Sequence, residues 1–214
     1  MKQNLTWIVP IVDESGSMGG IKSDTIGAFN NFINEQRKVE GEAHVTLVKF
    51  NTKIEKVYES SIQHAGLLDE INYRPNNWTR LYDAIALTIK DIKSQIKGLP
   101  KEERPEKVLF VIITDGKENR STEFNKSQVF EMIKKREDKG WNFLYLGANQ
   151  DAMEEGGKIG IDKFNTVTWT ADARGVNTAY MAANTYATKF RNAKSSAEIA
   201  SLDLNQEYQD ADKR

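Results

Sequence analysis

One apolar segment constrains the fold more than any other part of the sequence. Residues 108–113 read Val-Leu-Phe-Val-Ile-Ile and run directly into Thr114-Asp115-Gly116. A short, unbroken run that ends in a turn signal is typical of a β-strand buried on both faces. Residues 5–12 form a second such run, in which only Pro10 interrupts the pattern. Because proline cannot donate to a strand ladder, we expect a local irregularity near Pro10.

Helical periodicity alternates with these strand-like runs along the chain. The clearest helix follows the loop at residues 74–77, where Leu81, Ile85, Ile89, Ile92 and Ile96 form one apolar stripe. The other helices are predicted at about 21–39, 126–139, 151–158 and 173–191, and the other strands at 44–50, 53–58, 141–146 and 166–170. The alternation predicts an α/β fold with a doubly wound, mainly parallel central sheet and helices on both faces. The tight turn at residues 51–52 makes the strand at 53–58 an antiparallel edge strand.

Length and composition predict one domain. The chain has 214 residues, of which 39% are hydrophobic, enough for a single core. We place the domain at residues 1–192 and predict that the polar residues 193–214 form a mobile tail. The N-terminal apolar run lacks the small-residue cleavage site of a secretory signal, and no stretch approaches the roughly 20 apolar residues of a membrane span. We therefore expect a cytoplasmic protein without membrane association.

The composition also limits the chemistry that the chain can perform. The chain has no Cys, which excludes disulfides, thiol catalysis and thiolate zinc clusters. Its only histidines, His44 and His64, are too few for most histidine metal centres. Lys and Arg number 30 against 31 Asp and Glu, and this near-zero net charge argues against a nucleic-acid partner held by bulk electrostatics. Carboxylates and hydroxyls are the functional groups that remain.

Short oxygen-bearing side chains follow two predicted strands and precede the clearest helix. The first strand ends in Asp13-Glu14-Ser15-Gly16-Ser17, and the strand at 108–113 ends in Thr114-Asp115-Gly116. The clearest helix starts with Thr79. In doubly wound sheets, ligands bind at the carboxyl ends of the strands, near the point where the strand order reverses. We therefore expect these side chains to share one edge of the sheet.

In this arrangement the chain resembles a von Willebrand factor type A domain over nearly its whole length. The metal-ion-dependent adhesion site of that family is an Asp-x-Ser-x-Ser motif, then a Thr, then an Asp often followed by Gly. The chain is similar to the small standalone intracellular bacterial members of the family rather than to extracellular adhesion modules. It departs from the family pattern at Pro10 and at residues 76–78, which stand where glycines often precede the Thr. The matching residues are Asp13, Ser15, Ser17, Thr79 and Asp115.

The resemblance implies a site for Mg²⁺, with Mn²⁺ and Ca²⁺ as alternatives, in which the serine hydroxyls contact the ion directly. The two aspartates and the threonine would act directly or through water, and an Asp or Glu of a protein partner would complete the coordination shell. Asp83 would orient the Thr79 loop or cap backbone groups, and Gly116 would border the site. Trp78 either lies on the rim as an aromatic anchor for the partner or packs under the loop.

Two functions of different classes follow from such a site. The first is a non-enzymatic, metal-dependent protein-binding module. The alternative is a metal-dependent hydrolase acting on phosphoester substrates, for which Glu14 or Glu118 could be the general base by proximity in sequence alone. Against the hydrolase, the Asp-x-Asp pattern of phosphoaspartate enzymes is absent after the first strand, where Ser15 stands in place of the second Asp. A phosphate loop ending in Gly-Lys-Ser/Thr is missing as well. Nucleic-acid association is a third, less favoured function.

Overall fold

The computed structural model describes residues 1–149 and 151–213, and these residues form a six-stranded sheet with helices on both faces. The strands in this part of the chain are β1 (Lys2–Asp13), β2 (Glu42–Phe50), β3 (Ile54–Ser61), β4 (Pro105–Thr114), β5 (Trp141–Ala148) and β6 (Thr166–Trp169). The α-helices are α1 (Lys22–Lys38), α2 (Leu81–Gly98), α3 (Lys126–Glu137), α4 (Ala152–Lys158), α5 (Ala173–Asn192), α6 (Ser196–Ala200) and α7 (Leu204–Asp212). None of the helices described is long and apolar enough to cross a membrane.

The sheet has the strand order β3-β2-β1-β4-β5-β6. Every neighbouring pair is parallel except β2 and β3, which are antiparallel. The predicted α/β class, the doubly wound parallel sheet and the antiparallel edge strand are therefore confirmed. Because β1 pairs with both β2 and β4, the strand order reverses at β1, and the carboxyl ends of β1 and β4 form the crevice in which such sheets bind ligands.

The irregularity predicted near Pro10 is a gap in the pairing of β1 with β2, which stops after Ile8 and resumes at Ile11. The register to β2 is the same before and after this residue, with Ile8 opposite Val45 and Ile11 opposite Val48. The register to β4 instead shifts between Lys2 and Thr6. The prediction is confirmed as an interruption without a register shift, because a missing N–H removes a ladder bond and only an inserted residue shifts the register.

Alternation along β4 places its side chains in two separate hydrophobic cores. Leu109, Val111 and Ile113 belong to the core under α1 and α5. Phe110 and Ile112 belong to the core under α2 and α3. Each fully buried side chain of this size contributes roughly 1.5–3 kcal/mol of transfer free energy, so the apolar run that predicts the strand also fixes its central place in the sheet.

The chain after Ser195 forms two helices, where the sequence predicts a mobile polar tail. Ser195 and Asp203 cap α6 and α7 through their side-chain oxygens. Leu204 is fully buried, and Lys189 of α5 donates to Glu207 at 2.5 Å. Each helix is too short for its periodicity to be recognised in the sequence, and packing against α5 supplies the stability that local propensity lacks. Residue 214, which the prediction also covered, lies outside the described residues.

We expect Leu204→Ala to lower the free energy of unfolding by about 2–4 kcal/mol, because truncating a buried leucine removes its transfer free energy and leaves a cavity. Urea unfolding followed by tryptophan fluorescence measures the change. Leu67→Ala is the matched control, since Leu67 is 40% exposed and its truncation should cost less than about 1 kcal/mol. An unchanged stability of Leu204→Ala would show that α7 is not docked in solution.

Candidate metal site

Asp13 is the last residue of β1, and its side chain is fully buried. One carboxylate oxygen, Oδ1, accepts the backbone N–H of Ser15 at 2.7 Å. The other, Oδ2, accepts the hydroxyl of Thr114 at 2.5 Å. The backbone carbonyl of Asp13 accepts the hydroxyl of Tyr73 at 2.6 Å. These three bonds fix both the strand end and the orientation of the carboxylate.

Ser15, Ser17 and Asp115 continue the same cluster of oxygen atoms. A short 3₁₀ turn at residues 16–21 folds the chain back after β1, so that the Oγ atoms of the two serines lie 3.2 Å apart. The Ser17 hydroxyl donates to Oδ1 of Asp115 at 2.6 Å. Since Asp115 directly follows β4, the carboxyl ends of the two central strands meet at these side chains.

Thr79 brings a third segment of the chain to the site. The sequence predicts that it starts a helix, whereas α2 begins at Leu81 and Thr79 lies in the preceding loop, 2% exposed. Its backbone N–H donates to Oδ1 of Asn119 at 3.0 Å. Its carbonyl accepts the N–H groups of Asn119 and Arg120, both at 3.2 Å. The loop after β4 therefore holds Thr79 by its backbone, which leaves its hydroxyl to face the site.

Gly116 shows where these oxygens converge. A Cβ atom on this residue would lie 2.9 Å from Oγ1 of Thr79 and 3.6 Å from both Oδ2 of Asp13 and Oγ of Ser17. Two segments of the chain thus direct oxygens at one small volume beside Gly116, which only the hydrogen of a glycine leaves open. Ser15 and Asp115 are joined to this volume through Ser17. We call Asp13, Ser15, Ser17, Thr79 and Asp115 the oxygen cluster.

The chemistry of the oxygen cluster suits a small, hard divalent cation. The cluster offers two carboxylates and three hydroxyls, and such oxygen ligands are the ones that Mg²⁺, Mn²⁺ and Ca²⁺ prefer. Within residues 1–149 and 151–213 there is no group of three or more His, Cys, Asp or Glu side chains that could hold a metal ion. A metal site at this edge of the sheet therefore depends on the hydroxyls as well as on the two aspartates.

The two aspartates of the cluster are in an environment that disfavours their charge. Burial raises the pKa of Asp13 to about 6, against the bonds from Thr114 and Ser15, which lower it. Burial also raises the pKa of Asp115, while the hydrogen bond from Ser17 lowers it. A cation between the two carboxylates would offset this cost, because a nearby positive charge favours the ionised form.

Asp83 organises the loop that follows β4. Its carboxylate accepts the backbone N–H groups of Thr122, Glu123 and Phe124 at 2.8–3.1 Å, and the guanidinium of Arg80 at 2.7 Å. Burial alone would raise the pKa of Asp83, but these donors outweigh it and hold that pKa below its usual range. Of the two roles expected from the sequence, the capping of backbone groups is the one seen, and it acts on the loop that holds Thr79.

Trp78 faces solvent rather than packing under its loop. Its side chain is 61% exposed and directly precedes Thr79. The carbonyl of Asn77 accepts the N–H of Gly16 at 3.1 Å, which ties this loop to the Asp13–Ser17 turn. Of the two alternatives that the sequence left open, the structure shows the exposed one.

Glu14, a base candidate by sequence proximity, is a structural anchor. It is 8% exposed and pairs at 3.0 Å with Lys49, which is 5% exposed and also donates to the carbonyl of Asn72. The Glu14 carboxylate further accepts the N–H of Arg74 at 2.5 Å. The pairing was missed because Lys49 lies 35 positions away, and only the adjacency of β1 and β2 brings the two together.

Glu118, the other base candidate, is likewise occupied. Its two carboxylate oxygens accept the N–H groups of Tyr82, Arg120 and Ser121 at 2.6–2.9 Å, and the hydroxyl of Ser121 at 2.7 Å. It therefore joins the loop after β4 to the start of α2. Neither glutamate is free to accept a proton from a substrate without breaking the loops that build the site.

Comparison with known proteins places this geometry in context. The family model described as "von Willebrand factor type A domain" matches residues 8–181, which include the whole oxygen cluster. No curated protein sequence matches the chain.

Solved structures with the same fold come from several organisms. A von Willebrand factor type A protein from Catenulispora acidiphila has a TM-score of 0.57 and 13% identity, over 88% of this chain and 43% of its own. The ArnB paralog VWA2 from Sulfolobus acidocaldarius has a TM-score of 0.55 and 19% identity, over 84% and 44%. Proximal thread matrix protein 1 from the mussel byssus, with a zinc-occupied MIDAS motif, has a TM-score of 0.56 and 14% identity, over 86% and 46%. This chain spans less than half the length of each of these proteins, and identities this low show a shared fold alone.

We expect Asp13→Asn to stabilise the protein by about 1–3 kcal/mol at pH 7.5 in EDTA, because burial of the ionised carboxylate opposes folding. The folded pKa of about 6 lies above the ordinary 3.8, so the unfavourable contribution of Asp13 to stability shrinks as the pH falls from 6 to 4 and grows as the pH rises. The difference between the two proteins should accordingly disappear near pH 4. Urea unfolding at several pH values, followed by fluorescence, gives the comparison.

Asp138→Asn is the control for this experiment, since Asp138 is exposed at the end of α3. It should change the free energy of unfolding by less than about 1 kcal/mol throughout the same pH range. A destabilised Asp13→Asn protein at pH 7.5 would mean that the hydrogen bonds of this carboxylate outweigh the cost of burying its charge.

Proposed function

Because the chain belongs to the von Willebrand factor type A domain family, we propose that it is a divalent-metal-dependent protein-binding module. Members of this family are generally adhesion or interaction modules. The observation that carries the proposal is that oxygens of Asp13, Ser17 and Thr79 converge beside Gly116, with Ser15 and Asp115 joined to them through Ser17. Two carboxylates and three hydroxyls from three segments gather there at the crevice of the sheet, where a bound ion would be reachable from solvent.

The residues of the oxygen cluster would hold the ion, which we propose to be Mg²⁺, with Mn²⁺ or Ca²⁺ as alternatives. When bound, the ion supplies positive charge and a coordination position that a carboxylate of the partner can occupy. Asp13 is pre-oriented for this by Thr114, and Asp115 by Ser17. The zinc-occupied motif in the mussel protein supports a divalent cation on this fold.

Binding rather than catalysis is supported by the roles of the two glutamates beside the site. Glu14 is held by Lys49 and the N–H of Arg74, and Glu118 by three backbone N–H groups and a hydroxyl. A general base has to accept a proton from its substrate at hydrogen-bond distance. Since both candidates are engaged in holding loops, no observation favours the phosphoester hydrolase, and a partner bearing an Asp or Glu is the proposed ligand.

We expect Gly116→Ala to abolish metal binding while the fold persists. The added methyl would lie 2.9 Å from Oγ1 of Thr79 and fill the volume between the cluster oxygens. For the unchanged protein, Mg²⁺ at 100 times its dissociation constant should stabilise the fold by about 2.7 kcal/mol, which thermal unfolding detects as a raised Tm. Gly116→Ala should show no such rise.

Gly27→Ala is the matched control, because a Cβ at Gly27 meets nothing within 4 Å and the residue lies within α1. It should keep the full response to Mg²⁺. An equal rise of Tm in Gly116→Ala would place the ion elsewhere and contradict the proposal.

Partner capture tests the function itself. Immobilised protein should retain its partner from a lysate in Mg²⁺, and lose at least 90% of it in EDTA or with Asp115→Ala, because the partner carboxylate then has no ion to meet. Asp138→Ala should capture as the unchanged protein does. Capture that survives EDTA would contradict the metal bridge, by which we mean an ion that joins the oxygen cluster to a carboxylate of the partner. Phosphoester turnover that Asp115→Ala abolishes would favour the hydrolase instead.

A further inference from the structure

We propose that the surface around the oxygen cluster selects a partner segment with two or more carboxylates next to an apolar side chain. The proposal rests on the proposed function, since one of these carboxylates is taken to meet the metal. It is carried by three exposed cations, Arg74, Lys117 and Arg120, which we call the basic rim, and by the exposed Trp78.

Each residue of the basic rim is tied by its backbone to the site. Arg74 donates its N–H to the carboxylate of Glu14, the neighbour of Asp13 in sequence. Arg120 donates its N–H to the carbonyl of Thr79. Lys117 directly follows Gly116. Each of the three residues is therefore linked to the oxygen cluster through a sequence neighbour or a backbone hydrogen bond.

The cations of the basic rim lack strong partners of their own. Within the described part of the chain, the Arg74 and Arg120 side chains make no hydrogen bond or ion pair. The nearest carboxylate to Lys117 is that of Glu155 at 3.8 Å, which Lys158 approaches more closely, at 3.0 Å. Exposed cations with no ion pair, or only a weak one, give a local positive potential that favours an anionic partner.

Two large exposed apolar side chains lie in the segment of the chain that carries Arg74 and Thr79. Trp78 is 61% exposed and Ile71 is 73% exposed. Ile71 and Arg74 also line a depression of about 290 Å³ that reaches Glu14. Large exposed apolar side chains at a binding site are typical anchors for a partner, so we expect an apolar residue next to the acidic ones.

The extent of the basic rim favours a short acidic protein segment over an extended polyanion. The exposed carboxylates that lie near the basic rim in the chain, Glu70, Glu123 and Glu154, are ion-paired with Lys22, Arg80 and Lys158, respectively. Their side chains are 65%, 54% and 60% exposed, respectively. Two or three carboxylates of a peptide match the three cations of the basic rim, whereas a nucleic-acid strand carries many phosphates and needs a longer row of cations to neutralise them.

Selection from a phage-displayed library of random twelve-residue peptides in Mg²⁺ tests the proposal. We expect enriched peptides to carry at least two Asp or Glu within four positions, together with an aromatic or aliphatic residue. Their binding should weaken about 5- to 20-fold with the double variant Arg74→Ala/Arg120→Ala, and about 5-fold or more with Trp78→Ala. The salt dependence of binding should also become shallower in the double variant, because screening acts on fewer charges.

Two control proteins match these changes away from the site. Lys93→Ala/Lys101→Ala removes two exposed cations from the second half of α2 and the turn after it. Phe164→Ala removes an aromatic side chain that is 50% exposed, just before β6. Both should bind the enriched peptides as the unchanged protein does.

The outcomes separate failure of the basic rim from failure of the metal. Mg²⁺-dependent peptides with a single carboxylate, unaffected by the rim variants, would overturn the proposal and keep the metal bridge. Acidic peptides that bind equally in EDTA but are lost with the double variant would support the basic rim and overturn the metal bridge. Tighter binding of a twelve-nucleotide single-stranded DNA than of any peptide would overturn the proposed partner class, and no enrichment in Mg²⁺ would overturn both proposals.

Discussion

The buried carboxylate of Asp13 is the constraint on which the rest of the site depends. It ends the central strand β1, whose position between β2 and β4 places it at the crevice of the sheet. Since an ionised group in this position is costly unless its oxygens are bonded, the Ser15 N–H and the Thr114 hydroxyl determine the course of two loops. The oxygen cluster forms where those loops and the Thr79 loop meet.

The fold and the site were predictable from the sequence to different depths. The strand at 108–113 and the motif from Asp13 to Ser17 are local patterns, so they could be read without knowing which segments pack together. The Glu14–Lys49 pair and the docking of α7 on α5 could not be read, because each joins distant segments. That the oxygen cluster holds a metal stays a prediction, although its five residues lie together as expected.

Carboxylates near the site divide into two groups with opposite tasks. Glu14, Asp83 and Glu118 accept backbone N–H groups together with a cation or a hydroxyl, and they fasten the loops together. Asp13 and Asp115 have no ion-pair partner among the described residues, and burial raises the pKa of each. The composition counts all five alike, and only the structure shows which of them are already satisfied.

This division has a consequence for how tightly the site can bind. Loops that are fastened before a ligand arrives need not lose conformational freedom when it binds, so more of the interaction free energy appears as affinity. Glu118 accepts the N–H groups of Tyr82, at the start of α2, and of Arg120, and Glu14 accepts the N–H of Arg74. The anchors that shape the oxygen cluster therefore also position Arg74 and Arg120 of the basic rim. Weakening either anchor would therefore disturb the oxygen cluster and the basic rim together, whereas truncating Arg74 or Trp78 would remove an exposed side chain and leave the oxygen cluster in place.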